Sequence, residues 1–336
     1  MKKIKAVFVK YMSLFIAGFS IRKITNFCKV MLSYFLRKTK VSGLPFLLQI
    51  EPTNRCDLRC SLCLTGAGKL KRSRGDMSFK QFKNIVSQLQ AGLIYIVLYN
   101  LGEPLLNPDI YQMIKYAKKK RIFTRLSTNA NFSDRAHIKS ILTSGLDELV
   151  ISLDCASEET YRAYKKSTDF CRVLDNVSLL IKERGQRLKP FINLQFLLMG
   201  STEQEIDEFK KLIKDLGVDK GLIKKVRVDY FAEKPEYGLL PENKKFHRDI
   251  YRGKGKKNPC VRPWISTLVL WDGVVVPCCF DMEGDFILGN VKGGKITRIW
   301  NDKEYMNLRH KIASKSNSAE LCRQCSLKNF SSNFIK

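Results

Sequence analysis

Between residues 45 and 235 the chain alternates short apolar runs with longer stretches of helical period. Strand-like runs fall at 46–51, 95–99, 123–127, 148–154, 192–198 and 226–230. At 78–90, 108–119, 134–143, 173–183 and 203–216 apolar residues recur every three or four positions, as one face of an amphipathic helix requires. Thr202 and Glu205 have capping-box spacing, and Pro108 suits a first helical turn. Six strand–helix units predict an α/β fold, a partial (β/α)6 barrel of TIM-like build with function at the C-terminal strand ends.

Outside that stretch the pattern changes. Beyond residue 250, Asp272-Gly273 between two β-rich runs predicts a hairpin that returns Cys278 towards Cys260. Ahead of the barrel, Ile21, Ile24, Phe27, Cys28, Met31, Leu32 and Phe35 share one helical face. Arg22, Asn26, Lys29, Ser33 and Arg37 share the other. Three regions are expected: a basic amphipathic helical region at 1–44, a barrel at 45–235 and a cysteine-rich domain at 250–336.

Composition narrows the partners. The 336 residues carry 60 Lys and Arg against 32 Asp and Glu, a net charge of +28, which attracts nucleic acid, anionic lipid or acidic proteins. The basic runs 69–74, 118–121, 224–227 and 252–257 are dispersed and lack the interleaved aromatics of a base-stacking platform. That weighs against nucleic acid. Of eleven cysteines, seven gather at 56–63, 278–279 and 322–325, a distribution that points to thiolate-held metal in a reducing compartment.

The loop after the first strand reads Pro52-Thr-Asn-Arg-Cys56-Asp-Leu-Arg-Cys60-Ser-Leu-Cys63. No fourth Cys or His follows closely, as a closed zinc site would need. Three thiolates can hold a [4Fe–4S] cluster by three corners and leave one iron open. This Cys-x3-Cys-x2-Cys loop resembles the signature of the radical S-adenosylmethionine (radical SAM) superfamily. The resemblance implies that the open iron chelates S-adenosylmethionine. Reductive cleavage then yields a 5′-deoxyadenosyl radical that takes hydrogen from substrate.

Further stretches resemble the same family. Asn100-Leu-Gly102-Glu103-Pro104 is similar to its Gly-Gly-Glu-Pro, implying that Gly102, Glu103 and Pro104 receive the cofactor's ammonium. Ser127-Thr128-Asn129 is similar to the segment that meets the ribose. Ser152, Asp154 and Lys165 complete the implied cofactor set. Leu62 and Lys165 depart from the family's usual aromatic and arginine, and Cys155 replaces a glycine. Two roles stand for Cys155, hydrogen-atom donor to a substrate radical or small buried filler.

Cys260, Gly273-x4-Cys278 and Cys322-x-x-Cys325 resemble the auxiliary-cluster extension called SPASM or, in shortened form, twitch. The resemblance implies that Cys260, Cys278, Cys322 and Cys325 ligate one auxiliary [4Fe–4S] cluster, with Cys278 preferred to Cys279. A four-cysteine zinc site has the same spacing; the barrel motifs favour iron–sulfur.

The first fifty residues hold ten Lys or Arg and no acid. Their helix suits either the surface of an anionic membrane or packing of its apolar face on the barrel. The uncharged run 11–21 is too short to span a bilayer, and no cleavage site follows it. The expected setting is therefore cytoplasmic, with residues 1–40 available to the inner membrane face. An acidic reductant such as flavodoxin or ferredoxin is implied as partner, with the run 118–121 a candidate dock. Asp229, Tyr230 and Glu233 follow the last expected strand as candidate bases.

Three functions remain open at this point. One is a radical SAM enzyme acting on an anionic glycan, lipid-linked or phosphorylated small molecule. The second is a radical SAM peptide maturase. The third is a non-catalytic zinc protein that binds nucleic acid.

Overall fold

The computed structural model describes residues 2–228, 239–248, 260–314, 320–323, 325 and 334–335. Two helices come first, α1 (Lys2–Gly18) and α2 (Ile21–Phe35). The strands are β1 (Leu47–Ile50), β2 (Tyr95–Leu98), β3 (Phe123–Thr128), β4 (Glu148–Asp154), β5 (Phe191–Leu198) and β6 (Lys220–Lys225). They pair in parallel, each with its successor, as the alternation predicts.

Period-2 geometry explains how these strands serve both a core and a site. Leu48, Ile50, Ile96 and Leu98 are fully buried on the helix side, whereas Leu47, Gln49, Tyr95 and Val97 line the lumen. Helices α3 (Phe79–Leu89), α4 (Ile110–Lys119) and α5 (Ala136–Thr143) cover the outside, with Phe82, Ile85, Met113 and Ile138 in one core. Beyond them come α6 (Glu158–Lys165), α7 (Phe170–Arg184) and α8 (Ile206–Asp215).

Two expectations change. The sixth strand lies at Lys220–Lys225, not at 226–230. Once Gly217 turns the chain with φ +68, pairing with β5 begins at once, Asn193 opposite Lys220. Its sequence, Lys-Gly-Leu-Ile-Lys-Lys, is too polar to announce a strand. The Thr202–Glu205 capping box is not made either. Glu205 reaches across to the start of α6, accepting from the Ala156 amide at 2.8 Å, Ser157 Oγ at 2.5 Å and Thr160 Oγ1 at 2.6 Å.

The C-terminal region contains α9 (Arg262–Ile265), β7 (Ser266–Val269), β8 (Val274–Val276), β9 (Gly289–Asn290), α10 (Ile296–Ile299), α11 (Lys303–Ala313), α12 (Glu320–Arg323) and β10 (Phe334–Ile335). The hairpin forms as read: β7 and β8 are antiparallel, with Gly273 at φ +92 in the turn. It also extends the barrel sheet, because β7 pairs in parallel with β1. One ten-stranded sheet results, in the order β10-β6-β5-β4-β3-β2-β1-β7-β8-β9.

The N-terminal helices do not turn their apolar faces inward. On α2 the buried side chains are Lys23, Val30 and Ser33, and Ile21, Leu32 and Phe35 are exposed. The reading in which that apolar face packs on the barrel is thereby corrected. Among the described residues no helix is long and apolar enough to cross a membrane.

Candidate active site

A cavity of about 650 Å³ occupies the barrel lumen. Cys56, Cys60 and Cys63 stand on its wall, half-buried and free of disulfides. Their loop is shaped from below. Asn54 Nδ2 donates to the Ser73 carbonyl at 2.7 Å, and its Oδ1 accepts from the Gly75 amide at 2.9 Å. The Ala67 amide donates to the Cys63 carbonyl at 2.7 Å, and the Ser61 amide to that of Tyr164 at 3.1 Å.

Gly102 locks this loop to the end of β2. Its φ is +78, and a Cβ there would lie 2.6 Å from the carbonyl oxygens of both Thr53 and Arg55. Only glycine fits so close a backbone approach. The next amide, Glu103 N–H, donates to the Arg55 carbonyl at 2.8 Å. Pro104 begins the single 3₁₀ turn that follows.

The Glu103 carboxylate is buried and aimed at the lumen. It accepts from the Leu105 amide at 3.1 Å and the Asn129 amide at 2.7 Å. Burial outweighs both bonds and pushes its carboxyl up to about 7. Such a group is a ready receiver for an ammonium.

Ser127, Asn129, Ser152, Asp154 and Lys165 all reach the same cavity. The Asn129 side chain braces the cysteine loop, with Nδ2 donating to Asp57 Oδ1 at 2.8 Å, and Asn131 Nδ2 donates to Asp57 Oδ2 at 2.6 Å. Lys165 Nζ donates to Asp154 Oδ2 at 2.6 Å and to the Ser152 carbonyl at 2.9 Å. Gln195 Nε2 donates to Asp154 Oδ1 and Ser152 Oγ, both at 2.9 Å. Asp154 is held in the left-handed region, φ +70, by these bonds. Cys155 turns away from the lumen and packs into the core with no exposure.

Several residues here have no sequence signature. Asp57 and Gln195 are two. A third is Glu51, fully buried at the end of β1, which takes both Arg72 Nη atoms at 2.8 and 3.0 Å and Asn100 Nδ2 at 3.1 Å. Arg72 also donates to the Met282 carbonyl at 2.7 Å. This pair ties the loop after the first three cysteines to the C-terminal region.

Cys278 and Cys279 lie on the same cavity wall. Arg262 Nη1 donates to Cys279 Sγ at 3.3 Å, and the Cys279 thiol is held below its usual range by that cation although burial opposes it. Burial pushes the Cys278 thiol up. Cys260 precedes α9; Cys322 lies in α12, and the Cys325 amide donates to its carbonyl at 3.4 Å. Asp229, Tyr230 and Glu233 lie outside the described residues.

The first donor set fits an iron–sulfur cluster. Burial pushes the Cys56 and Cys60 thiols up, Cys60 to about 11, so thiolates persist there only beside a strong cation such as iron.

These features define an iron–sulfur radical enzyme. The family models for "Radical SAM superfamily" and "Iron-sulfur cluster-binding domain" (SPASM) match residues 50–216 and 260–326, and the chain belongs to the radical SAM superfamily with a SPASM domain. Its cofactors are accordingly a [4Fe–4S] cluster, S-adenosylmethionine and auxiliary iron–sulfur, and the non-catalytic zinc reading falls.

The chain is 22% identical over 322 residues to the tungsten-containing aldehyde ferredoxin oxidoreductase cofactor-modifying protein of Pyrococcus furiosus, covering 86% of this chain and 89% of that protein. It is 22% identical to the PqqA peptide cyclase of Gluconobacter oxydans, covering 84% and 83%. Its fold is similar to that of Streptococcus suis SuiB bound to S-adenosylmethionine, with TM-score 0.66, 15% identity and coverage of 88% and 74%.

Proposed function

We propose that this enzyme reductively cleaves S-adenosylmethionine and abstracts hydrogen from an anionic substrate held in the lumen, a glycan, a lipid-linked or a phosphorylated small molecule. When bound, the cluster and S-adenosylmethionine supply a 5′-deoxyadenosyl radical. Cys56, Cys60 and Cys63 are the cluster ligands in this reading, and Glu103 receives the cofactor's ammonium. Ser127, Asn129, Ser152 and the Asp154–Lys165 pair surround the remainder of the cofactor. Cys260, Cys278, Cys322 and Cys325 hold one auxiliary [4Fe–4S] cluster.

The observation that carries the substrate class is the excess of cation on the lumen wall. Lys224 and Arg248 line it together with Arg125, which pairs with Glu148 at 3.8 Å, and Arg262, which donates to Cys279, against Glu103 and an Asp154 already paired to Lys165. The Lys224 ammonium has no hydrogen bond or ion pair with a described residue, and burial together with Arg248 lowers its pKa. Half-buried Lys224 and buried Arg248, the latter fixed on the Val226 carbonyl at 2.8 Å, face one space, and such a pair of cations favours an anion there.

The test is anaerobic formation of 5′-deoxyadenosine by iron-reconstituted protein with dithionite. Wild type should form it and a Cys56→Ala/Cys60→Ala/Cys63→Ala variant should not. Sugar phosphates and nucleotide sugars should raise the yield, and Lys224→Gln should raise the concentration needed about tenfold. If neutral sugars stimulate equally, the anionic reading fails. Acidic peptides form the second arm, because similarity to the PqqA peptide cyclase runs along 84% of this chain; stimulation by peptides alone would make the enzyme a maturase.

An acidic one-electron donor belongs to the proposal. The run 118–121 lies at the N-terminal end of β3, across the barrel from the cysteines, and Lys118 is paired with Asp147 at 2.7 Å. Arg59, Lys69 and Lys71 are exposed beside the cysteine loop and suit the donor better. The proposed setting is reducing and cytoplasmic, with residues 1–40 at the inner face of a membrane.

A further inference from the structure

Helix α1 is amphipathic in the reverse sense to a packed surface helix. The side it turns to the barrel carries Lys10, Ser13 and Ala17; the side it turns to water carries Phe8, Tyr11 and Phe15, with Phe19 just past its end, each more than 60% exposed. α2 continues this arrangement, with Ile21, Leu32 and Phe35 outward. Of the fifteen large apolar side chains exposed among the described residues, thirteen lie between Val7 and Leu36, leaving only Leu106 and Ile287 elsewhere. So concentrated an apolar surface marks a contact site.

The helices are fastened to one end of the barrel. Lys10 Nζ pairs with Glu148 Oε1 at 2.7 Å and sits 4.7 Å from the centre of the Phe191 ring, at the first residues of β4 and β5. Lys23 Nζ donates to the carbonyls of Ala17 at 2.9 Å and Arg121 at 2.8 Å, joining α1, α2 and the approach to β3. α1 thus lies across the N-terminal strand ends, and its outward face points away from the cysteine loops at the C-terminal ends.

We infer that α1 and α2 seat this enzyme on an anionic lipid leaflet, barrel floor towards the membrane and cysteine loops away from it. The inference rests on the peripheral setting proposed above and is independent of the radical chemistry. Charge selects the occupant. Residues 1–50 carry ten Lys or Arg and no acid, so a second copy applied face to face would meet like charge, whereas acidic headgroups complement it. Phenylalanine and tyrosine flanked by lysine and arginine have the composition of helices that lie in the membrane interface.

The test is flotation of full-length, iron-reconstituted protein with vesicles of phosphatidylcholine, with and without phosphatidylglycerol. Wild type should float with the phosphatidylglycerol vesicles and should be partly released by salt. Phe8→Gln/Phe15→Gln/Phe19→Gln should weaken partition about a hundredfold, while Leu106→Gln/Ile287→Gln should not. Arg22→Glu/Lys29→Glu keeps the apolar face and should abolish the preference for phosphatidylglycerol.

Iron content and melting temperature should match wild type in each variant, since all seven positions are exposed. Wild type that stays at the bottom of the gradient overturns the inference, as does a Phe triple variant that floats like wild type. Light scattering that gives twice the chain mass, reduced to one by the Phe variant, assigns the face to a second copy and overturns it too. 5′-Deoxyadenosine assayed in the same fractions keeps the two proposals separable. Flotation without product sinks the chemistry alone, and product without flotation sinks the docking alone.

Discussion

Glu103 is a buried carboxylate whose hydrogen bonds come from two backbone amides, 2.7 and 3.1 Å away. Since its carboxyl is raised to about 7, the stability favouring its neutral form is present at low pH and is lost as the pH rises through that value. Binding a cofactor ammonium requires the ionised form. Affinity of the reconstituted protein for S-adenosylmethionine should therefore fall as the pH drops through about 7, and Glu103→Gln should weaken binding and flatten that dependence. Equilibrium dialysis across the range reads both. Glu51 supports a prediction about stability. Removing its charge leaves Arg72 without its carboxylate partner and with only the Met282 carbonyl to receive it, so Glu51→Gln should cost about 3 kcal/mol in urea unfolding. The cysteines were legible because their spacing is itself the chemistry. Asp57 and Gln195 were not, because each acquires its role from partners 72 and 41 residues away, and local pattern carries no trace of that proximity.

At the level of elements, five of the six barrel strands announce themselves because each packs apolar residues against a helix layer. β6 escapes notice because the last barrel strand, bordered on its far side only by the two-residue β10 and flanking a polar lumen, can be built from Lys-Gly-Leu-Ile-Lys-Lys. Likewise the apolar face of α2 is visible in the sequence, but its direction is not, since periodicity gives a stripe and no partner. α6 shows how a distant element can hold another in place. Its N-terminal groups depend on Glu205, just ahead of α8, and its last residue is Lys165. Glu205→Ala should cost about 1–3 kcal/mol, measured by urea denaturation. The loss should be accompanied by weaker retention of S-adenosylmethionine as the Asp154–Lys165 pair loosens.

The whole molecule has a polarity: cysteine loops at one end of the lumen, the first two helices at the other. In the proposed function, electron delivery belongs at the first end. Arg59→Glu/Lys69→Glu/Lys71→Glu should slow 5′-deoxyadenosine formation several-fold with flavodoxin and leave the dithionite rate unchanged. Charge reversal at 118–121 should change neither. Equal slowing with both reductants would mean that the loop variant damages the cluster and does not disturb docking.

The four-residue ladder between β1 and β7, from Leu47 opposite Ser266 to Ile50 opposite Val269, joins the two family domains within one sheet. A chain stopped near residue 250 would strip one side of β1 and present its backbone donors and acceptors, flanked by Leu48 and Ile50, to any passing strand. Bare edges of that kind recruit copies of themselves. The SPASM domain therefore shields the barrel against polymerisation as well as supplying thiolates. A truncated protein should elute as aggregates in size-exclusion chromatography.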